Sequence, residues 1–227
     1  MNFVEGEVIL IDKPLEWTSF DIVNKIRYII RKKFNLKKIK VGHAGTLDPL
    51  ATGLLIVCTG KMTKQIEKFQ SQNKEYVTTL KLGATTPSFD RETEEDNIFE
   101  YKHITEDMFK NVLHKFIGET EQIPPVFSAK KVNGQKAYIA ARKGKNIELK
   151  PNKIVIDAIE ILEFNLPYVK IKVNCSKGTY IRALGRDIGK ELKSGAYLYD
   201  LRRTKIGDYN VNDALLINEF ENKVLAM

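Results

Sequence analysis

Residues 42–53 read GHAGTLDPLATG and lie between a helical pattern and an apolar run. Three glycines, a proline and several small side chains predict a tight loop with exposed backbone. Asp48 precedes Pro49, which biases its backbone toward an extended conformation and presents its side chain outward. An Asp-Pro pair in such a loop is usually only a turn element. The stretch therefore fixes one connection of the fold, and any function of Asp48 depends on its surroundings.

Strand and helix patterns alternate on both sides of this loop. Glu5–Asp12 predicts a strand, and Thr18 with Asp21 predicts a capping box at the start of a helix with apolar residues at helical spacing. Further helices are predicted near 63–69, 105–117, 179–192 and 217–224, and further strands over 54–58, 76–82, 169–175 and 197–203. This order favours a mixed α/β (α+β) fold with a largely antiparallel sheet flanked by helices.

The positive charge is concentrated in two stretches. Residues 22–47 contain eight Lys and Arg residues and residues 122–147 contain six, and neither stretch contains Asp or Glu. Without these fourteen of its 37 basic residues, the chain carries 23 basic and 29 acidic side chains. Such segregation is typical of a surface that neutralises a phosphate backbone, whereas abundant lysine alone would only produce solvated faces.

Several classes of protein and site are disfavoured. The apolar runs are too short to span a bilayer, and the N-terminus MNFVEGEV lacks the pattern of a secretory leader. Cys58 and Cys175 lie far apart in apolar runs, which predicts buried reduced thiols and a cytoplasmic location. The sequence has no GxxxxGK[ST] loop and no His/Cys cluster, so we expect neither a metal site nor a cofactor.

Three side chains attract attention for different reasons. Asp48 stands at the edge of the first basic stretch, where a carboxylate stays ionised, as a nucleophile or base requires. Arg182 lies in the first turn of a predicted helix, where a cation opposes the macrodipole, so a carboxylate partner would explain it; a surface or phosphate contact is the alternative. For Tyr76, strand alternation by itself favours a core aromatic.

The run GHAGTLDPLATGLL resembles the catalytic motif of the TruB family of tRNA pseudouridine-55 synthases, relatives of dyskerin. Four more segments agree with that family in order and spacing, and the resemblance extends from about residue 5 to about residue 215. They are Ile11-Asp12-Lys13-Pro14, Lys74-Glu75-Tyr76, 175–182 (CSKGTYIR) and Leu201-Arg202-Arg203.

The resemblance implies the residues of the site. Asp48 is implied as the catalytic carboxylate, Tyr76 as the tyrosine that stacks on the flipped base, and Arg182 as the partner of the carboxylate. His43 is implied to fill the place that the base leaves, and Tyr180 and Leu201 to line the uridine pocket. The RNA contacts predicted from the basic stretches are Lys37, Lys38, Lys40, Lys130, Lys131, Lys136 and Arg142. Arg202 and Arg203 remain open between an RNA contact and a packed fork.

The resemblance also implies the organisation of the chain. We expect a pseudouridine synthase catalytic domain over 1–215, a basic RNA-clasping insertion at about 122–150, and a short tail over 216–227 in place of the C-terminal PUA-type domain of longer bacterial members. Phe89, a departure from the family beside Asp90, is expected not to contact a predicted catalytic residue. The implied partner is the T stem-loop of tRNA, bound by a monomer without an obligate protein partner.

The expected activity is isomerisation of a flipped uridine to pseudouridine in tRNA, which needs no cofactor. A carboxylate at position 48 is compatible with attack on C1′, addition at C6 or removal of the C2′ proton, and the sequence does not choose among them. The alternative function is a tRNA-binding folding chaperone that does not depend on turnover.

Overall fold

The computed structural model describes residues 1–127 and 149–227, and between them the backbone of Lys131–Val132 and Gln135–Lys136. The chain divides into two compact units. The first comprises Met1–Tyr76 and Leu201–Met227, and the second comprises Val77–Asp200. Two strands, β4 (Lys74–Leu82) and β12 (Ala196–Ile206), contribute residues to both units.

The first unit is built around a buried strand, β3 (Ala51–Thr59). Strand β1 (Val8–Lys13) pairs antiparallel with β3, so that Val8 lies opposite Cys58. The short strand β2 (Val41–His43) also pairs antiparallel with β3, and residues 201–203 of β12 pair with it in parallel. Strand β13 (Tyr209–Asn210) closes a hairpin with β12. The loop at 44–50 therefore emerges between two strands of one sheet.

Helix α1 (Ser19–Lys33) begins at the predicted capping box. The Thr18 side chain accepts from the backbone N–H of Asp21, and the Asp21 carboxylate accepts from the backbone N–H of Thr18. Its apolar face is buried in a core shared with α5 (Ile217–Leu225), in which Phe220 and Val224 are fully buried. Residues 216–227, expected to form a short tail, thus supply part of the core of this unit.

A predicted helix over 63–69 takes a different form in the first unit. The chain forms a 3₁₀ helix over Gly60–Gln65 and then α2 over Ile66–Ser71. Gly60 has a φ of 50° and lies against the backbone of Phe3 and Val4, so the segment begins with a tight turn earlier than its apolar pattern suggests.

The second unit is an antiparallel sheet with helices. Strand β10 (Asn152–Asn165) pairs with β11 (Tyr168–Cys175) on one side and β7 (Gly118–Gln122) on the other. Burial alternates along β4 and β11 as predicted. The unit also contains helices α3 (Glu106–His114) and α4 (Ile181–Glu191), and the short strands β5 (Ala84–Thr85), β6 (Asn97–Ile98), β8 (Lys131–Val132) and β9 (Gln135–Lys136). The predicted α+β class with largely antiparallel strands is confirmed.

Candidate active site

Asp48 lies in the loop between β2 and β3, half-buried between buried Leu47 and exposed Pro49. The Asp48 carbonyl accepts from the backbone N–H of Ala51 at 3.0 Å, which closes a turn just before β3. Gly53, the third residue of β3, has a φ of 100°, and a Cβ added there would lie 2.3 Å from the carbonyl oxygen of Arg203. The glycine is therefore required by both its backbone conformation and the close approach of β12.

The segment before α1 holds the loop on both sides of Asp48. The Ser19 hydroxyl accepts from the Leu47 N–H at 2.8 Å and donates to the Leu47 carbonyl at 3.1 Å. On the other side, the Glu16 N–H donates to the Pro49 carbonyl at 2.9 Å. Residues adjacent to Asp48 are thus fixed by groups more than 25 positions earlier in the chain. Such contacts limit the positions that the carboxylate can reach.

Lys13 is a fully buried cation beside this loop. Its ammonium donates to the carbonyls of Pro14 at 2.8 Å, Trp17 at 2.6 Å and, more weakly, Pro49 at 3.4 Å. Burial lowers the pKa of Lys13 to about 8, an effect opposed by the negative charge of Asp48 and reinforced by the positive charge of Arg203. The same attraction between Lys13 and Asp48 favours the ionised carboxylate.

Arg203 is a buried arginine whose guanidinium binds backbone carbonyls. Its side chain is buried, and it donates from Nε to the Leu54 carbonyl at 2.8 Å and from Nη2 to the Gly45 carbonyl at 3.1 Å. It therefore ties the start of the loop to β3. Arg202 forms a bidentate pair with Asp12, with distances of 2.6 and 3.0 Å. The sequence left the roles of these two arginines open between an RNA contact and a packed side chain. In the structure, both guanidinium groups bind groups of the protein itself.

His43 ends β2 with a half-buried imidazole. Burial and the charge of Arg203 lower the pKa of His43, while an interaction with the Gly45 backbone partly opposes them. Its Nδ1 atom is buried and has no hydrogen-bond partner among the described residues. The ring is therefore neutral at neutral pH, which suits contact with an uncharged base better than contact with a phosphate.

Tyr76 and Leu201 lie in the same unit as Asp48. Tyr76 is on the buried face of β4, where only 9% of the residue is exposed. Leu201 lies opposite Ala51 in the parallel pairing of β12 with β3. Ala51 follows Asp48 by three residues in the chain. The backbone register thus brings Leu201 close to the loop, while the proposed contacts of both side chains with a uridine stay predictions.

Arg182 lies in the second unit, in the first turn of α4, and is buried. It donates from Nη1 to the Ser88 carbonyl at 3.1 Å and from Nη2 to the Phe127 carbonyl at 2.8 Å. Its Nε lies 3.6 Å from Oδ2 of Asp90, and Oδ1 of the same carboxylate accepts from the Ser88 hydroxyl at 2.6 Å. The predicted partnership with Asp48 stays a prediction, and within its own unit Arg182 is oriented by the loop at 88–90.

Tyr180 is the N-cap residue of α4 and is held by its backbone. Its N–H donates to Oε1 of Gln122 at 2.8 Å, and its carbonyl accepts from Nε2 of the same amide at 3.1 Å. Gln122 is buried at the end of β7. This reciprocal pair fixes the residue before the helix and leaves the Tyr180 ring half-buried.

Comparison with known proteins places these features in one family. The profile described as "TruB family pseudouridylate synthase (N terminal domain)" matches residues 31–181. The chain belongs to the TruB family of pseudouridylate synthases. The resemblance seen in the sequence is therefore confirmed.

Two relatives of this TruB family chain are similar over nearly their whole length. It is 61% identical to the tRNA pseudouridine synthase B of Phocaeicola vulgatus over 220 aligned residues. The aligned region covers 97% of this chain and 94% of the relative. It is 52% identical to the tRNA pseudouridine synthase B of Flavobacterium johnsoniae over 224 aligned residues, and the aligned region covers 98% of each chain.

A solved structure, the crystal structure of a Cbf5-Nop10-Gar1 complex, contains a chain with the same fold. The TM-score is 0.71 at 29% sequence identity, over 97% of this TruB family chain and 54% of that chain. The chain thus spans about half of the length of its structural neighbour. The predicted pseudouridine synthase fold is confirmed.

Sequence reasoning assigned no role to several residues that hold the predicted site residues of this TruB family chain. Lys13 and Ser19 hold the Asp48 loop, Asp90 contacts Arg182, and Gln122 holds Tyr180. The guanidinium carbon of Arg186 lies 5.1 Å from the centre of the Phe89 ring. Of these residues, only Lys13 could have been noticed in the sequence, because a lysine in an apolar strand is unusual.

The predicted RNA contacts fall into two groups. Lys37, Lys38 and Lys40 follow α1 and are exposed, as an RNA contact requires. Lys130, Lys131, Lys136 and Arg142 lie in the segment whose side chains are outside the described residues; the backbones of Lys131 and Lys136 pair across β8 and β9. Their RNA contacts stay predictions.

The remaining chemistry of the described residues is simple. They contain no group of three His, Cys, Asp or Glu side chains that would hold a metal ion. Cys58 and Cys175 are buried thiols that form no disulfide, as predicted, and burial raises the pKa of Cys58 to about 11. No helix in this part of the chain is long and apolar enough to cross a bilayer.

Proposed function

We propose that this chain isomerises a uridine in the T loop of tRNA to pseudouridine, with Asp48 as the catalytic carboxylate. The observation that carries the proposal is the 61% identity, over nearly the whole chain, to a protein named tRNA pseudouridine synthase B. The geometry around Asp48 supports it, because a half-buried carboxylate beside a buried ammonium suits a group that acts in its ionised form.

The reaction breaks the N1–C1′ bond of uridine and forms a C5–C1′ bond in the same nucleotide. The C5 proton leaves and N1 gains a proton, so the product is an isomer and no electron donor is needed. A uridine stacked in a folded loop is out of reach of Asp48, and extruding it costs a few kcal/mol. An aromatic ring that stacks on the extruded base returns roughly 1–3 kcal/mol, which is the role we assign to Tyr76.

The other predicted residues complete the site. Arg182 is proposed to pair with Asp48 while Asp90 and the Ser88 carbonyl hold its guanidinium in place. His43, with its neutral ring, is proposed to occupy the place of the extruded base. Tyr180 and Leu201 are proposed to line the pocket in which the free base turns.

The substrate and setting are proposed from the same relatives. Both relatives compared above bear a name that specifies tRNA, which favours turnover on tRNA over a chaperone that does not depend on it. We assign the T stem-loop as the bound part of tRNA and a monomer without an obligate protein partner as the active form. We assign residues 1–215, completed by the core helix α5, as the catalytic domain, and the cytoplasm as the location.

The test is single-turnover conversion of an unmodified tRNA transcript, with the modified position mapped. Asp48→Asn removes the ionisable group but keeps the shape, so we expect conversion to be abolished while tRNA binding survives. The matched control is Asp208→Asn in the exposed turn between β12 and β13, which should convert tRNA like the wild type. Conversion by Asp48→Asn at the wild-type rate would show that the carboxylate is assigned wrongly.

A further inference from the structure

Helix α1 exposes two large aromatic side chains that its fold does not use. Phe20 is 61% exposed and Tyr28 is 56% exposed, although the opposite side of the same helix is buried in the core. Spacings of four and eight residues place Phe20, Asn24 and Tyr28 on one side of the helix, and Arg27 and Arg31 follow the same line. We name this side the α1 face; its members are Phe20, Asn24, Arg27, Tyr28, Arg31 and Lys32.

The exposed Asp21 lies on the same side of the helix, where its carboxylate accepts from Thr18 in the capping box, and the other charges of the α1 face are positive. Arg31 donates to the Leu36 carbonyl, and the ammonium of Lys32 lies 5.8 Å from the centre of the Tyr28 ring. Among the described residues, neither cation forms a salt bridge with a carboxylate, whereas nearby Lys25 is neutralised by Glu221. Because the sequence contains no acid between Asp21 and Asp48, the face combines exposed aromatic rings with cations that remain available.

The α1 face begins beside the Asp48 loop. Ser19, the first residue of the helix, binds both backbone groups of Leu47, and Phe20 follows it directly. From Phe20 to Arg31 the helix advances about 17 Å, which matches the length of several nucleotides. A polymer bound along the face would therefore have one end next to the predicted catalytic carboxylate.

Exposed aromatic and arginine side chains occur in both protein and RNA interfaces. Here the charge distinguishes the two classes, because an interface of uncompensated cations favours a polyanion over a protein of mixed charge. Aromatic rings interleaved with cations are typical of surfaces that bind unpaired nucleotides, where bases stack and phosphates are neutralised.

We propose that the α1 face is a binding surface for the substrate RNA, with Phe20 packed against a base or ribose and with Arg31 and Lys32 on phosphates. This proposal rests on the proposed function for the identity of the RNA. The face is distinct from the lysines at 37–40, because it adds an apolar, salt-insensitive contact next to the loop.

The experiment measures the dissociation constant for an unmodified tRNA transcript at several salt concentrations. We expect Phe20→Ala to weaken binding by about 5- to 100-fold with an unchanged salt dependence, because a stacking contact releases no counterions. We expect Arg31→Gln to weaken binding and to reduce the slope of log affinity against log salt by about 0.7–0.9, the loss of one phosphate contact.

Matched variants separate contact from folding. Phe20→Trp retains a ring and should restore most of the affinity, whereas a mere disturbance of the helix would not be repaired by a bulkier side chain. Met108→Ala and Lys110→Gln change an exposed apolar side chain and an exposed cation on α3 and should bind tRNA like the wild type. Wild-type affinity and wild-type salt slope in both Phe20→Ala and Arg31→Gln would overturn the proposal, and a protein partner would then be the better occupant.

The experiments also separate a failure of the α1 face from a failure of the proposed function. If the wild type binds tRNA but converts no uridine, the function is wrong while the α1 face is still tested by the binding series. If the wild type converts tRNA and both Phe20→Ala and Arg31→Gln bind it with wild-type affinity and salt slope, the function stands and the surface is wrong.

Discussion

Ser19 offers a sharp test of how the fold positions the carboxylate. Its hydroxyl is 2% exposed and makes two hydrogen bonds to Leu47, the residue before Asp48. Ser19→Ala removes both bonds and leaves the buried N–H and carbonyl of Leu47 without this partner. Two buried groups are left unsatisfied, at about 1–3 kcal/mol each, so we expect the free energy of unfolding to fall by at least about 2 kcal/mol.

Catalysis by the folded variant should also be impaired. A loop freed beside Asp48 allows displacements of the order of 1 Å, and such a misplacement costs about 100-fold in rate. We therefore expect the single-turnover rate at saturating tRNA to fall by about 10- to 100-fold while the variant is still folded. Urea unfolding and single-turnover conversion, measured at one temperature, give both quantities.

The control is Ser71→Ala at the end of α2, where an exposed hydroxyl donates to the Lys68 carbonyl. It removes the same atom from the same unit and should change neither rate nor stability by more than about 0.5 kcal/mol. If Ser19→Ala lowers the stability but converts bound tRNA at the wild-type rate, Ser19 serves the fold alone and our argument about positioning fails.

Two further predictions concern other parts of the molecule. Gly53→Ala places a Cβ 2.3 Å from the Arg203 carbonyl oxygen, whereas Gly178→Ala has a similar positive φ and no heavy atom within 4 Å. We expect Gly178→Ala to lower the free energy of unfolding by about 1–2 kcal/mol and Gly53→Ala to lower it by at least about 2 kcal/mol more, measured by urea unfolding; equal losses would contradict the close approach of β12. Because burial lowers the pKa of His43 below 6.5, the unfolded chain binds the extra proton more readily, and stability is lost as the pH falls below about 6.5. His43→Asn should reduce this loss between pH 6.5 and 5, and an identical pH slope in the two proteins would argue against a buried neutral imidazole.

Local patterns predicted the elements that local forces determine. The capping box of α1 needs only Thr18 and Asp21, three residues apart, and the alternation of β11 needs only its own side chains. Both were predicted from the sequence and both are present. The 3₁₀ helix at Gly60–Gln65 was not predicted, because the turn at Gly60 depends on contact with the distant backbone of Val4.

The groups that hold the predicted site could not be found in this way. Ser19 and Leu47 are 28 residues apart, Arg182 and Ser88 are 94 apart, and Gln122 and Tyr180 are 58 apart. Nothing in the spacing of a serine or a glutamine indicates a partner at such a distance, because the partner is chosen by tertiary packing. The family resemblance predicted Asp48 and Arg182 as site residues, and the structure was needed to show which groups hold them.

The first unit places two buried cations, Lys13 and Arg203, beside the Asp48 loop, and both donate to backbone carbonyls there. An ammonium has three N–H donors, and those of Lys13 reach three backbone carbonyls. The Nε and Nη2 donors of Arg203 are likewise directed to the carbonyls of Leu54 and Gly45. Lys13 therefore acts on Asp48 through space: it favours the ionised form while its donors hold the backbone in shape.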